Sequence, residues 1–229
     1  MSNQPPTLPQ FPGCRLHWME QRTDEWFEAR HGCLTASSMG AWLVDTEKTA
    51  KSRGARDTAV YKLLSERAQW YQPAIFETDA MSRGTALEPM AVAEFEKATD
   101  LEVAECGFMK ADFGPVGCSP DGLILGEMFG CGYENKCPTG PKHAQYIDQG
   151  ILPVQYKVQV HASMAITGAK GWWFQSFMAP GQMALRILVE RDEYTEQVLT
   201  GLKAFCEVLD AKEAKFRELW NQTQSEVMT

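Results

Sequence analysis

The sequence has no uninterrupted apolar run approaching the roughly 20 residues that a membrane-spanning helix requires, which argues against a helical membrane protein. Residues 1–12 are polar and proline-bearing, without a hydrophobic signal core. A soluble, cytoplasmic protein without membrane partners is therefore expected. There is also no C-x-x-C pair and no even cysteine count: Cys14, Cys33, Cys106, Cys118, Cys131, Cys137 and Cys206 make seven. This speaks against a disulfide framework and offers no obvious zinc spacing. Free thiols are the plainer reading, while Cys106, Cys118, Cys131 and Cys137 keep an iron–sulfur or zinc site open as an alternative. Positive charge is scarce as well: 22 Lys and Arg stand against 30 Asp and Glu, for a net charge of -8. Such a balance counts against binding nucleic acid through a generally basic surface. No internal repeat, low-complexity tract or long linker divides the chain. One domain over residues 1–229 is expected, with 1–13 as a flexible lead-in.

Hydrophobic residues are abundant, at 44%, enough for a proper core. The charge is uneven. Residues 1–70 hold 9 Lys and Arg against 8 acids, whereas residues 192–229 hold 4 against 8. A short helix is predicted at 24–30, and Thr35 or Ser37 would cap a second one running towards Leu43. The segment 48–56, KTAKSRGAR, has four basic residues and no acid and reads as an exposed basic loop before a helix at 60–70. The spacing of Leu87, Met90, Ala91, Ala93 and Phe95 predicts a helix at 85–98 with Glu88 in its first turns, where the helix dipole alone would favour a glutamate. Short strands are expected at 101–109, 116–118, 123–125 and 132–137, a helix at 153–166, and strands at 172–177 and 184–190. A long C-terminal helix spans 192–220, with Val198, Leu202, Phe205 and Leu209 forming its buried stripe.

The chemistry concentrates in Ser119-Pro120-Asp121-Gly122 and, thirteen residues after Asp121, Glu134-Asn135-Lys136. In a strand, Glu134 and Lys136 project to one face and Asn135 to the other. A turn that sets Asp121 beside that strand would bring together two carboxylates and the Asn135 carbonyl, hard oxygen donors of the kind magnesium prefers. Lys136 would orient or help deprotonate a water and offset charge building on a phosphorane. A solvent-facing, salt-bridged strand beside a Pro-Asp-Gly turn would carry the same three residue types.

Context around this motif is more specific. Glu25-Trp26 with Arg30 and Leu34-Thr35-Ala36-Ser37, then Arg83-Gly84 with Glu88, then Ser119 to Leu123 with Glu134 to Pro138, and finally Tyr156-Lys157-Val158-Gln159-Val160-His161 occur in order. Together they resemble the phage lambda exonuclease and YqaJ-type viral recombinase nucleases, members of the restriction-endonuclease-like PD-(D/E)xK superfamily. The likeness runs from about Glu20 to Tyr194.

The resemblance implies an α/β (α+β) fold, a central mixed sheet flanked by helices. It implies that Asp121, Glu134 and the Asn135 carbonyl hold Mg2+, with two ions and Mn2+ able to substitute, that Lys136 serves the water, and that Glu88 and Gln159 assist. Arg30, Thr35, Ser37, Ser119 and Gln159 match positions that hold a terminal 5′-phosphate, where a guanidinium fork, hydroxyls and an amide suit the anion. Met81 matches an apolar wedge that unzips the duplex end, although burial in the core would explain it equally. Trp172 and Trp173 could stack bases, but in a strand they face opposite sides, so at least one belongs to the core. The implied activity is 5′-to-3′ hydrolysis of linear double-stranded DNA, leaving a 3′ strand for a single-strand annealing recombinase. A ring-shaped homotrimer with Lys51, Arg53 and Arg56 lining its channel is implied too. Two departures stand out: His161 replaces a second glutamine, a place a buried hydrogen-bonded histidine would also fill, and the Asp-to-Glu interval is roughly three residues longer. A structure-selective endonuclease and a non-catalytic DNA-binding protein of the same fold remain alternatives.

Overall fold

The computed structural model describes residues 9–44, 49–70, 78–126 and 130–227. Strand β1 (Cys14–His17) leads into helix α1 (Asp24–Arg30), which has the predicted bounds and begins where Thr23 accepts the Trp26 amide. Strand β2 (Leu34–Thr35) follows. The helix expected to run towards Leu43 is instead two single 3-10 turns, Ala36–Ser38 and Ala41–Leu43. The reason is local: the Ser38 hydroxyl donates back to the Thr35 carbonyl at 2.8 Å, and Met39 and Gly40 are extended, so no helix can pass through them.

Helix α2 (Ala50–Arg67) overturns the basic loop expected at 48–56. Lys48 lies outside the described residues, while Lys51, Arg53 and Arg56 sit on the helix. Thr49 caps it by accepting the Ser52 amide at 3.0 Å, well before the apolar periodicity starts at Val60. Those first turns bury no large apolar side chain, so their pattern looked like a loop. Helix α3 (Asp79–Thr99) is likewise longer than expected, capped by Thr78 and running through Pro89. Glu88 therefore sits in its third turn, too far from the N-terminus for the helix dipole to account for it. Ala91 and Phe95 are buried, whereas Met90 and Ala93 are exposed.

The strand expected at 101–109 divides at Gly107, where an added Cβ would come within 2.7 Å of the His17 carbonyl oxygen. Its two parts, β3 (Val103–Ala104) and β4 (Phe108–Ala111), join different sheets. Next come β5 (Val116–Cys118), β6 (Gly122–Ile124) and β7 (Cys131–Lys136). Helix α4 (Gly140–Gln149) was not anticipated, although Pro141 in its first turn and Gly150 at φ 61 mark its ends. Helix α5 (Val154–Thr167), β8 (Gly171–Ser176), β9 (Leu185–Glu190) and α6 (Glu193–Val227) complete the chain close to the expected positions.

The fold is mixed α/β, with the strands dealt into two sheets rather than one. One orders them β1-β4-β5-β2; the other orders them β3-β6-β7-β8-β9. In the second sheet β7 pairs in parallel with β8, the connection running through α4 and α5, and antiparallel with β6. Helix α5 packs against strands of both sheets and against α6, so Val160 to Thr167 are all buried. Val198, Leu202, Phe205 and Leu209 of α6 are fully buried, as their spacing predicts. Of the expected lead-in, residues 1–8 lie outside the described residues, while Phe11 packs on the core and Gly13 exchanges backbone hydrogen bonds with Thr167 and Asp112. The pairing of β1 with β4 requires that anchored approach. Among the described residues no helix is long and apolar enough to cross a membrane.

Two glycines give opposite expectations. At Gly201 on α6 an added Cβ would stand 2.1 Å from the Leu43 carbonyl oxygen, whereas at Gly54 on α2 nothing lies within 4 Å. Gly201→Ala should destabilise the protein by about 1–3 kcal/mol. Gly54→Ala should stabilise it by about 0.5–1 kcal/mol. Paired chemical denaturation curves of the two variants check both signs.

Candidate active site

Strand alternation on β7 sends Tyr133 and Asn135 one way and Glu134 and Lys136 the other. The Glu134 carboxylate is only 2% exposed. It contacts the Lys136 ammonium and accepts a 2.6 Å hydrogen bond from the Gln159 amide on α5. Asp121, on the turn from β5 to β6, is clamped to the same strand twice: its backbone N–H donates to the Tyr133 carbonyl at 3.0 Å, and its Oδ2 accepts the Asn135 N–H at 2.7 Å. The other face of β7 is held by Gln175 of β8. Its amide donates to the Ala91 carbonyl at 2.9 Å, the Tyr133 hydroxyl at 3.0 Å and Asn135 Oδ1 at 3.4 Å, and Arg186 donates to its oxygen at 2.7 Å.

Electrostatics follow from that enclosure. Burial, partly offset by Lys136 and aggravated by Asp121, pushes Glu134 up from 4.5 to about 7. Burial raises Asp121 too, against the pull of Lys136 and the Asn135 amide. Burial alone would depress Lys136, but the Glu134 and Asp121 carboxylates together hold its ammonium above the ordinary lysine range. Glu88 approaches from α3. Burial and the charge of Asp121 raise it, and Arg22 sits 3.3 Å from its carboxylate.

Asp121, Asn135, Lys136 and Glu88 line a cleft of about 1490 Å3, and Arg30, Thr35 and Met81 line it as well. The Arg30 guanidinium lies 3.9 Å from the centre of the Trp26 ring and donates to the Ser119 hydroxyl at 2.8 Å. Its desolvation lowers it to about 10. The Thr35 hydroxyl is within hydrogen-bond distance of Ser38, at 3.1 Å, and of Ser37, at 3.4 Å. Arg30 with Ser119, and Thr35 with Ser37 and Ser38, are thus two hydrogen-bonded sets that meet the cleft through Arg30 and Thr35, whereas the Gln159 amide goes to Glu134 and groups with the carboxylates. Met81 is 55% exposed, which removes the core explanation for it.

Other expected residues fall elsewhere. Lys51, Arg53 and Arg56 are not among the cleft-lining residues; α2 presents Ala55, Thr58, Ala59 and Lys62 there instead. Arg53 and Arg56 turn with Val60 and Leu64, and Arg56 lies 3.7 Å from Asp57. Trp172 is fully buried and Trp173 packs edge-on against Phe95, so neither offers a face to the cleft. His161 is buried and within 2.8 Å of the Thr195 hydroxyl at the start of α6, away from the cleft. The seven cysteines are free. Among the described residues no three His, Cys, Asp or Glu side chains form a metal-holding group. A divalent ion would instead rely on the Asp121 and Glu134 carboxylates and the Asn135 carbonyl, an all-oxygen set with excess negative charge that suits a hard cation. Sequence reasoning passed over Arg22, Lys62 and Lys142, which bring further positive charge to the cleft. Lys142 lies on the unanticipated helix α4, and no pattern in the sequence distinguishes Arg22.

Residues 25–170 match the model of the YqaJ-like viral recombinase domain. The chain is similar in structure to an alkaline exonuclease (LHK-Exo) from Laribacter hongkongensis, with 28% identity and a TM-score of 0.73 over 88% of this chain and 100% of the other. The same enzyme in complex with dAMP gives 29% identity and a TM-score of 0.73, with the same coverage. A phage-related exonuclease from Haemophilus somnus 129PT shares the fold, at 12% identity and a TM-score of 0.58 over 83% of this chain and 99% of the other. No curated protein is significantly similar in sequence.

A carboxyl raised on folding binds its proton more tightly in the folded state. Its contribution therefore favours the fold below pH 4.5 and diminishes as pH rises from 4.5 to about 7. In metal-free protein, side-chain carboxyl NMR should show Glu134 titrating near 7 rather than near 4.5. Lys136→Met, which removes the compensating charge, should move that midpoint higher still.

Proposed function

Because the chain belongs to the YqaJ-like viral recombinase family, we propose that it is a metal-dependent 5′-to-3′ exonuclease acting on linear double-stranded DNA. The observation that carries this reading is a single cleft lined by the Asp121 and Glu88 carboxylates and the Lys136 ammonium together with Arg30 and Thr35. The similarity to an alkaline exonuclease, known also in complex with dAMP, supports it.

Magnesium, held by Asp121, Glu134 and the Asn135 carbonyl, would supply Lewis acidity and lower the pKa of water. The chain's own residues divide the remaining work. Lys136 is held protonated by its two carboxylate neighbours. As an ammonium it orients the nucleophile and offsets charge on the phosphorus oxygens. Gln159 keeps the Glu134 carboxylate in place through its 2.6 Å hydrogen bond. Arg30, with Ser119, Thr35 and Ser37, would receive a terminal 5′-phosphate, desolvation by Trp26 strengthening the guanidinium's attraction for an anion. Met81 would press on the terminal base pair. The remaining 3′ strand would pass to a single-strand annealing recombinase, and a ring-shaped homotrimer would keep the duplex threaded. Sedimentation of the purified chain tests that assembly.

The deciding assay is magnesium-dependent nucleotide release from linear duplexes with 5′-phosphate or 5′-hydroxyl ends, with closed circles as control. The account expects faster release from phosphorylated ends and intact circles. Asp121→Ala and Lys136→Ala should each lower the rate by about 10²–10³-fold or more, and Arg30→Ala should erase the preference for phosphate. Cut circles would make the protein an endonuclease, and no release from any substrate would leave a DNA-binding protein.

A further inference from the structure

Arg22 is the cleft residue whose backbone departs most from expectation. Its φ is 72°, a left-handed conformation that glycine adopts freely and residues with side chains adopt rarely. The surroundings impose it. The Gln21 amide donates to the Cys106 carbonyl at 2.8 Å and the Pro120 carbonyl at 2.7 Å, tying this turn to the residue that precedes Asp121. On the other side the Thr23 hydroxyl donates to the Glu20 carbonyl at 2.8 Å and caps α1. A strained residue held so firmly from both sides points to a use for its side chain.

That side chain reaches from the start of α1 to α3, where one guanidinium nitrogen sits 3.3 Å from Glu88. It remains 54% exposed, a loose contact made through one donor nitrogen. Arg30 is committed differently, stacked on Trp26 and bonded to Ser119. Arg22 also lines the cleft beside Asp121 and Glu88.

Resting on the nuclease reading of this cleft, we infer that Arg22 is a second phosphate ligand, kept in reserve by Glu88 until a DNA phosphodiester reaches the Asp121 end. A guanidinium can bind a phosphate through two parallel N–H donors, a stronger contact than the single one it makes to Glu88. The exchange makes and breaks no covalent bond. In the free protein Arg22 masks part of the negative charge gathered by Glu88 and Asp121. When it swings to the substrate, that charge is restored where a cation is needed.

The test uses Arg22→Gly, because glycine is at home at this φ. Thermal stability should be unchanged or higher. Affinity for a 5′-phosphorylated duplex, measured with calcium in place of magnesium so that hydrolysis is not required, should fall about tenfold. The slope of log affinity against log salt should become shallower by about one. Glu88→Gln should tighten duplex binding more in the chain that keeps Arg22 than in the Arg22→Gly variant. Undiminished binding by Arg22→Gly, or an equal effect of Glu88→Gln in both backgrounds, would overturn the inference. A failure of the nuclease reading looks different: the unaltered chain would release no nucleotide in magnesium, whatever the binding results. Absence of duplex binding by the unaltered chain would sink both.

Discussion

A carboxylate with almost no exposed surface has to be compensated or protonated, and Glu134 is compensated by the lysine two residues along its own strand. Strand alternation puts that lysine on the same face without any long-range coincidence. Everything else in the centre of the molecule serves this pair. Asp121 is hydrogen-bonded to the backbone on either side of Glu134, Gln159 donates to its carboxylate, and Gln175 with Arg186 ties the opposite face of β7 to α3. One lysine faces two carboxylates, so the cluster is left with unsatisfied negative charge, the condition under which a hard cation binds.

The same logic reconciles an acidic chain with a polyanionic substrate. A net charge of -8 would repel DNA if it were spread evenly. The cleft lining is balanced instead, with Arg22, Arg30, Lys62, Arg83, Lys136 and Lys142 standing against Asp24, Glu28, Glu66, Glu88 and Asp121. The acidic C-terminal segment, residues 192–229, lies largely on α6, whose apolar stripe packs on α5 and the Leu43 turn while its charges face outward. Arg30 shows why position matters more than number: stacked on Trp26 and partly desolvated, it attracts an anion more strongly than a solvated surface lysine does.

Elements with strong periodicity or clear caps were legible in the sequence. Helix α1 has the predicted bounds 24–30, the α6 stripe is buried at all four expected positions, and β7 projects Glu134 and Lys136 together. Elements defined by what packs on them were not. The first turns of α2 bury no large apolar residue and so looked like a basic loop, while the helix expected after Thr35 gave way to turns closed by Ser38. The division of strands into two sheets turns on Gly107, whose tight approach to His17 is a tertiary fact. The motif residues Asp121, Glu134, Lys136 and Glu88 were readable as chemistry. Arg22 was not, because a left-handed arginine has no signature in one sequence.

The central claim is that Asp121, Glu134 and the Asn135 carbonyl form a divalent-cation site. Anomalous diffraction from crystals soaked in manganese tests it most directly. The account predicts an ion bound to both carboxylates, with Lys136 still beside Glu134. Manganese absent from this cluster at saturating concentration, or bound only elsewhere, would contradict it.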